Sequence, residues 1–266
     1  MARSPHPCDE RTELLTSVEA AADALWTAYE TGGEIPIEIF APLDHRQGQA
    51  VQAEILARRL ARGDQQVGWK VGLTSERART AVGIDARPFG HLMHLVDSGA
   101  TIPADAAAGA SIEAELCFTA GERISGPDLS AADVRERLAT VAAGYELNER
   151  RAVVGGDIAA LIADNLTNWA IVEGEGAPVA DVDDIDATVV AVHCDGTERF
   201  RCVSRDEVDN PYESIARLAQ TLHEHGLAIE PGQRIITGAY CRFDVAPGQT
   251  WSADYSGLGR VEITYS

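Results

Sequence analysis

At Val67 the texture of this chain changes, and that change limits the folds open to it more than any other feature. Before Val67, apolar residues recur at helical spacing: Leu14, Val18, Ala21 and Leu25, then Val51, Ile55 and Leu56. Two helices are expected there, Glu13 to Tyr29 and Gln49 to Leu60, with Pro36 and Pro42 between them. After Val67 the apolar runs shorten and are bounded by Gly, Pro and Asp, the pattern of strands and turns. The chain therefore reads as α+β, with a helical region at residues 1–66 packing on a strand-rich domain at residues 67–266.

Two helices interrupt the strand-rich part. Ser130-Ala131-Ala132-Asp133 is a capping-box start, with Val134, Leu138 and Val141 as its apolar face. Asn210-Pro211 opens the other, with Ile215, Leu218 and Leu222 facing inward and Gly226 ending it. The Asp181–Asp186 cluster reads as a solvated turn before a strand from Ala187 to His193. The tail offers three strands, Arg234–Gly238, Gln249–Tyr255 and Arg260–Tyr265, which suggest an antiparallel meander.

Composition matters here for what it excludes. A formal charge of -20 on 266 residues argues against nucleic acid and anionic membranes as partners, because both would repel it. No apolar run reaches a membrane span, and Met1–Arg11 lacks a signal-peptide core, so a cytoplasmic location is expected. The five cysteines show no Cys-x-x-Cys spacing and read as thiols.

One lysine, Lys70, stands against twenty-one arginines. Arginine is a permanently charged fork, whereas lysine offers a compact ammonium that can exchange a proton when buried. Lys70 lies in Gly68-Trp69-Lys70-Val71-Gly72, a short apolar stretch that reads as a buried strand entering a turn. A second unusual segment is Ser111–Phe118, where strand alternation puts Glu113, Glu115 and Cys117 on one face. Carboxylates two apart on a strand lie roughly 6.5–7 Å apart along the backbone, close enough to share a cation. The plain alternative is an exposed strand face. Glu146 follows on an apolar segment, and three carboxylates suit a hard cation, magnesium or manganese, with positions left for a bidentate 2-keto acid. His91 and His94 lack a third partner for zinc and read as surface or supporting histidines.

The ordered motifs Gly68–Ser75, Pro88-Phe89-Gly90, Ile112–Glu115, Tyr145-Glu146, Ile162–Asn165, Ile236-Thr237-Gly238 and Pro247-Gly248 resemble the 2-keto-4-pentenoate hydratase and 4-oxalocrotonate decarboxylase family. The resemblance covers about Gln49 to Ser266. It implies a fumarylacetoacetate hydrolase-like fold, a mixed β-roll with flanking helices, and a bound divalent metal, Mg2+ or Mn2+. It also implies Glu113, Glu115 and Glu146 as metal ligands and Lys70 as the active-site lysine. Ser75, Phe89, Gly90, Asp164, Thr167 and Thr237 become candidates for substrate binding; Thr167 replaces a usual serine, and Asp164-Asn165 could equally fix a turn. A small 2-keto acid is the implied substrate and a homo-oligomer the implied assembly.

Departures from the family pattern guide the choice of reaction. Hydratases of the family resemble one another in a Pro-Asp-Phe-Gly turn with an active-site aspartate, and this chain has Arg87-Pro88-Phe89-Gly90. Pro88 stands where that acid would be, which favours decarboxylation. Asp85, Arg87 or His91 could replace the acid if the loop is rebuilt, which would restore hydration. Cleavage of an acylpyruvate-like substrate, or a non-catalytic role, are the remaining readings; Gln49, where relatives often have tyrosine, bears on the last. Specificity is expected in the segments Ala86–Leu95 and Arg150–Ala160.

Overall fold

The computed structural model describes residues 7–32, 37–103, 105–106, 110–149 and 157–266. Pro36 and most of the Arg150–Ala160 segment lie outside the described residues, as do the side chains of Leu14 and Cys8. In chain order the elements are α1 (Pro7–Thr31), α2 (His45–Arg62), β1 (Gly68–Val71), α3 (Glu76–Val82), β2 (Phe89–Leu92), β3 (Leu95–Asp97), β4 (Thr101–Ile102) and β5 (Ser111–Ala120). There follow α4 (Ala131–Arg137), β6 (Leu138–Asn148), α5 (Ile158–Ala163), β7 (Asn168–Pro178), β8 (Val189–Cys194), β9 (Thr197–Val203), α6 (Ser204–Glu207) and α7 (Pro211–Glu224). Four strands close the chain: β10 (Arg234–Ile236), β11 (Cys241–Asp244), β12 (Thr250–Tyr255) and β13 (Gly259–Tyr265).

Two compact units result, one of Met1–Gln65 with Arg151–Thr167, the other of Gln66–Arg150 with Asn168–Ser266. In the helical unit, α2 starts four residues before the sequence pattern suggests. Asp44 caps it, accepting from the N–H groups of Arg46 and Gln47 at 2.9 Å each, while the Gln47 side chain accepts from Asp44 N–H at 2.8 Å. Ala21, Leu25, Val51, Ile55 and Ala159 form its core. Gly48 lets α2 meet α5 closely, since a Cβ there would stand 2.5 Å from the Ala159 carbonyl.

The strand-rich unit holds an eight-stranded mixed sheet in the order β2-β1-β10-β5-β6-β7-β3, with β11 also paired to β5. A five-stranded sheet, β4-β13-β12-β8-β9, completes it. Parallel pairing of β1 with β10 brings the backbones so close that a Cβ on Gly68 would lie 1.9 Å from the Arg234 carbonyl oxygen. Glycine is therefore required just before Trp69 and Lys70.

Several expectations need correction. The helix capped by Ser130 ends at Arg137, and Leu138 and Val141 belong to β6. The tail is no single meander: β12 and β13 form an antiparallel pair, but β10 runs parallel to β1 in the other sheet. The strand expected from Ala187 begins at Val189, after a 3-10 turn over Ile185–Ala187. Ala86–Leu95 is not simply a loop, because it contains the fully buried strand β2. Nor is β5 an exposed face: residues on both its faces are buried, with Glu113 and Thr119 half-buried. Four described cysteines, Cys117, Cys194, Cys202 and Cys241, are free thiols.

Candidate active site

The site grows from the pairing of the two longest buried strands. In the antiparallel register of β5 and β6, Glu113 lies directly opposite Glu146, and Glu115 is one step along the same face. Carboxylate oxygens of the three glutamates lie within 4.8 Å of one another. From β1, Lys70 reaches Glu146 in a buried hydrogen-bonded ion pair. Tyr255, on β12, supports both site strands by donating its hydroxyl to the carbonyls of Glu115 at 2.9 Å and Gly144 at 3.0 Å.

Each carboxylate is also held by a further group, of which only Gly238 lies in a motif named from the sequence, and none is read there as a partner of the glutamates. Glu113 accepts from Arg242 Nη1 at 3.1 Å, Glu115 from the Gly238 N–H at 2.7 Å, and Glu146 from Asn168 Nδ2 at 2.9 Å. The Gly238 contact needs glycine, because φ is +133° and a Cβ would stand 2.0 Å from Thr74 Oγ1. Arg242 faces Glu113 only because β11 pairs with the first half of β5, a register no local pattern announces.

Burial disfavours charge in this cluster, and the charges then act on one another. Desolvation, then repulsion from Glu146, raises the Glu113 carboxyl; the same two causes lift Glu115 well above the usual carboxylate range. Burial alone would lower the Lys70 ammonium, but the surrounding glutamates, Glu146 foremost, outweigh it and raise Lys70. Lys70 is thus held as a cation in the interior. Glu146 Oε2 is buried without a hydrogen-bond partner. An oriented carboxylate oxygen left bare beside two other glutamates fits an oxygen-ligated divalent cation.

The other candidates are placed differently. Gly90 sits opposite Lys70 in the β1–β2 register and adds no side chain to that face. Phe89 is on the opposite face of this sheet, packed edge-on against Trp69 at 5.7 Å and His225 at 5.6 Å, so its ring fills the core. Ser75 caps α3, accepting from Ala78 N–H at 3.2 Å. Thr237 is buried next to Gly238. Asp164 and Thr167 belong to the helical unit, where Tyr29 donates to Asp164 Oδ1 at 3.4 Å. Asn165, Leu166 and Thr167 all have left-handed backbone, at φ 55°, 52° and 64°. This is strained for non-glycine residues and most of all for β-branched Thr167.

The groups considered as replacements for a hydratase acid have other engagements. Asp85 is fully exposed beside Arg79, and Arg87 Nη2 binds Asp209 at 2.8 Å. His91, read as a surface or supporting histidine, is wholly buried on the Trp69 face, opposite to Lys70. His94 is exposed, near the Trp169 ring.

The mixed sheet with flanking helices is of the fumarylacetoacetate hydrolase-like class. No family model matches the chain. A 4-oxalocrotonate decarboxylase of Pseudomonas sp. (strain CF600) is 29% identical over 220 residues, covering 81% of this chain and 83% of that protein. A 2-oxo-hept-4-ene-1,7-dioate hydratase of Escherichia coli is 26% identical over 228 residues, covering 81% and 85%. The structure of 4-oxalocrotonate decarboxylase from Pseudomonas putida G7, complexed with magnesium and adipate, superposes with a TM-score of 0.86 at 25% identity over 100% of both chains. The chain is a homologue of the 4-oxalocrotonate decarboxylases and 2-keto-4-pentenoate hydratases.

Proposed function

We propose that this chain is a divalent-metal-dependent lyase acting on a small 2-keto acid or its 2-hydroxydienoate tautomer, with decarboxylation of the 4-oxalocrotonate type as its reaction. One observation carries the metal-dependent part: the buried Glu146 Oε2 has no hydrogen-bond partner, on a carboxylate clustered with those of Glu113 and Glu115 and paired through Oε1 with the Lys70 ammonium. The all-oxygen donor set suits Mg2+ or Mn2+. When bound, such an ion supplies Lewis acidity at the keto and carboxylate oxygens of the substrate.

The protein's own groups do the rest. Glu113, Glu115 and Glu146 provide the ligand oxygens, and Arg242, the Gly238 N–H and Asn168 keep them aimed. As carbon dioxide leaves, the electron pair of the broken C–C bond enters the conjugated keto acid as an enolate, and Lys70 is positioned to stabilise the charge and return a proton to carbon. Gly90, opposite Lys70, leaves that face open to substrate, and Thr237, Ser75, Asp164 and Thr167 are the further binding candidates. Pro88 supports decarboxylation over hydration, because the hydratase acid is replaced by a residue with nothing to donate. The engagement of Arg87 with Asp209 and the burial of His91 away from Lys70 support it too.

The test is incubation with 2-oxo-3-hexenedioate and with 2-hydroxypenta-2,4-dienoate, with and without magnesium, and identification of products. Magnesium-dependent carbon dioxide release from the first is expected. Water addition to the second without carbon dioxide from the first would replace decarboxylase by hydratase. A pair of acids would indicate C–C hydrolysis, and no turnover of either would overturn the lyase reading.

A further inference from the structure

Asp209, in the link between α6 and α7, joins the chain leaving β1 to the chain entering β2. Its backbone N–H donates to the Thr74 carbonyl at 3.0 Å, and its Oδ2 accepts from Arg79 Nη1 at 3.1 Å and from Arg87 Nη2 at 2.8 Å. The same Arg79 nitrogen donates to the Leu73 carbonyl at 2.8 Å. Arg87 precedes Pro88, whose carbonyl accepts from the Gly72 N–H at 2.7 Å. The side chains of Arg79 and Arg87 are 12% and 18% exposed, so these are not the loose surface pairs that contribute little. Burial works against the Asp209 charge, but Arg87 and Arg79 outweigh it and lower the pKa of the carboxyl.

The turn held in this way is strained, and it touches the carboxylate cluster. Leu73 has left-handed backbone at φ 55°, which a non-glycine residue keeps only where its surroundings over-determine it. Thr74, buried, and Val208 wall in Gly238: a Cβ there would stand 2.0 Å from Thr74 Oγ1 and 3.3 Å from Val208 Cγ1. The hydrogen bond from Asp209 to Thr74 fixes these two walls to each other. Gly238 in turn gives its N–H to Glu115 Oε2 at 2.7 Å. We propose that Asp209 is a positioning residue for the carboxylate cluster: it holds the Leu73–Thr74 turn and Val208 against Gly238, and so keeps the Gly238 N–H aimed at Glu115. The consequence rests on the metal reading of the site, in which an oriented Glu115 binds the cation more tightly. The competing reading is that Asp209 only neutralises two arginines and steadies α3 and β2, which would leave Glu115 untouched.

Two measurements on the wild type and Asp209→Asn separate these readings: amide hydrogen exchange at Gly238 in the metal-free protein, and Mn2+ titration followed by electron paramagnetic resonance. Asp209→Asn should exchange the Gly238 amide about tenfold faster and bind Mn2+ about tenfold more weakly. Unchanged exchange at Gly238, or faster exchange there with Mn2+ affinity unchanged, would overturn the role of Asp209. Should Asp209→Asn fail to fold by circular dichroism, Arg87→Gln removes one of its two ion pairs. Both measures should then move in the same direction by about threefold, and no movement in either would overturn the role. A wild type that binds no Mn2+ would overturn the metal reading, while the exchange comparison, made without metal, still decides whether Asp209 holds Gly238.

Discussion

Lys70 is the proposed proton donor, and its surroundings hold a positive charge where burial alone would remove it. An arginine would keep the charge but is a weaker proton donor than an ammonium, and its fork would not occupy the place of a compact ammonium. Lys70→Arg is expected to retain metal binding and to lower kcat by about a hundredfold or more, as loss of a positioned proton donor does. Steady-state kinetics beside a Mn2+ titration checks this, and unchanged turnover would remove Lys70 from the mechanism. Lys70 and the glutamates were legible in the sequence, the first as a lone lysine among arginines and two of the others by strand alternation. Their partners were not. Asn168, the Gly238 N–H and Arg242 reach the glutamates through strand pairings between distant segments, and spacing along the chain carries no trace of them.

Among the elements, the helices with strong end signals were the easiest to read, and errors gathered where tertiary pairing overrode local pattern. The Ser130 capping box is present, yet its apolar residues continue into β6 because Leu138–Asn148 finds β5 on one side and β7 on the other. β10 looked like part of a tail meander, but its parallel partner β1 lies over 160 residues earlier in the chain. The end of α2 provides a test at this scale. Asp64 follows the Gly63 cap and binds Arg62 at 2.7 Å and Arg59 at 3.0 Å, and the Arg62 hydrogen bond leads in lowering its pKa from 3.8 to about 2. An acid depressed on folding stabilises the folded state above its unfolded pKa and loses that contribution as pH falls through the folded one. Asp64→Asn should therefore be less stable than the wild type at pH 7 by roughly 1 kcal/mol or less, given the partial exposure of the clamp. The difference should close between about pH 4 and pH 2. Thermal melts across that range would show it, and a gap constant with pH would contradict the clamp.

At the scale of the whole molecule, every described strand follows Val67 while α3 to α7 lie among those strands, and the order of motifs along the chain pointed to the sheet class. The return of the segment ending at Thr167 to the helical unit was not written in any local pattern; it depends on α5 packing against α2 at Gly48. The strand-rich unit, by contrast, contributes all of Lys70, Glu113, Glu115, Glu146, Asn168, Gly238 and Arg242, so the carboxylate cluster is built within one compact body. Pairing of β5 with β6, support from Tyr255 and the approach of β1 through Gly68 converge on the same few oxygens. These oxygens are proposed to hold a divalent cation, and a Mn2+ titration followed by electron paramagnetic resonance tests that. The wild type should bind one ion per chain and Glu146→Gln, still folded by circular dichroism, should bind at least tenfold more weakly; a wild type that binds no manganese, or a variant that binds it equally well, would remove the metal site.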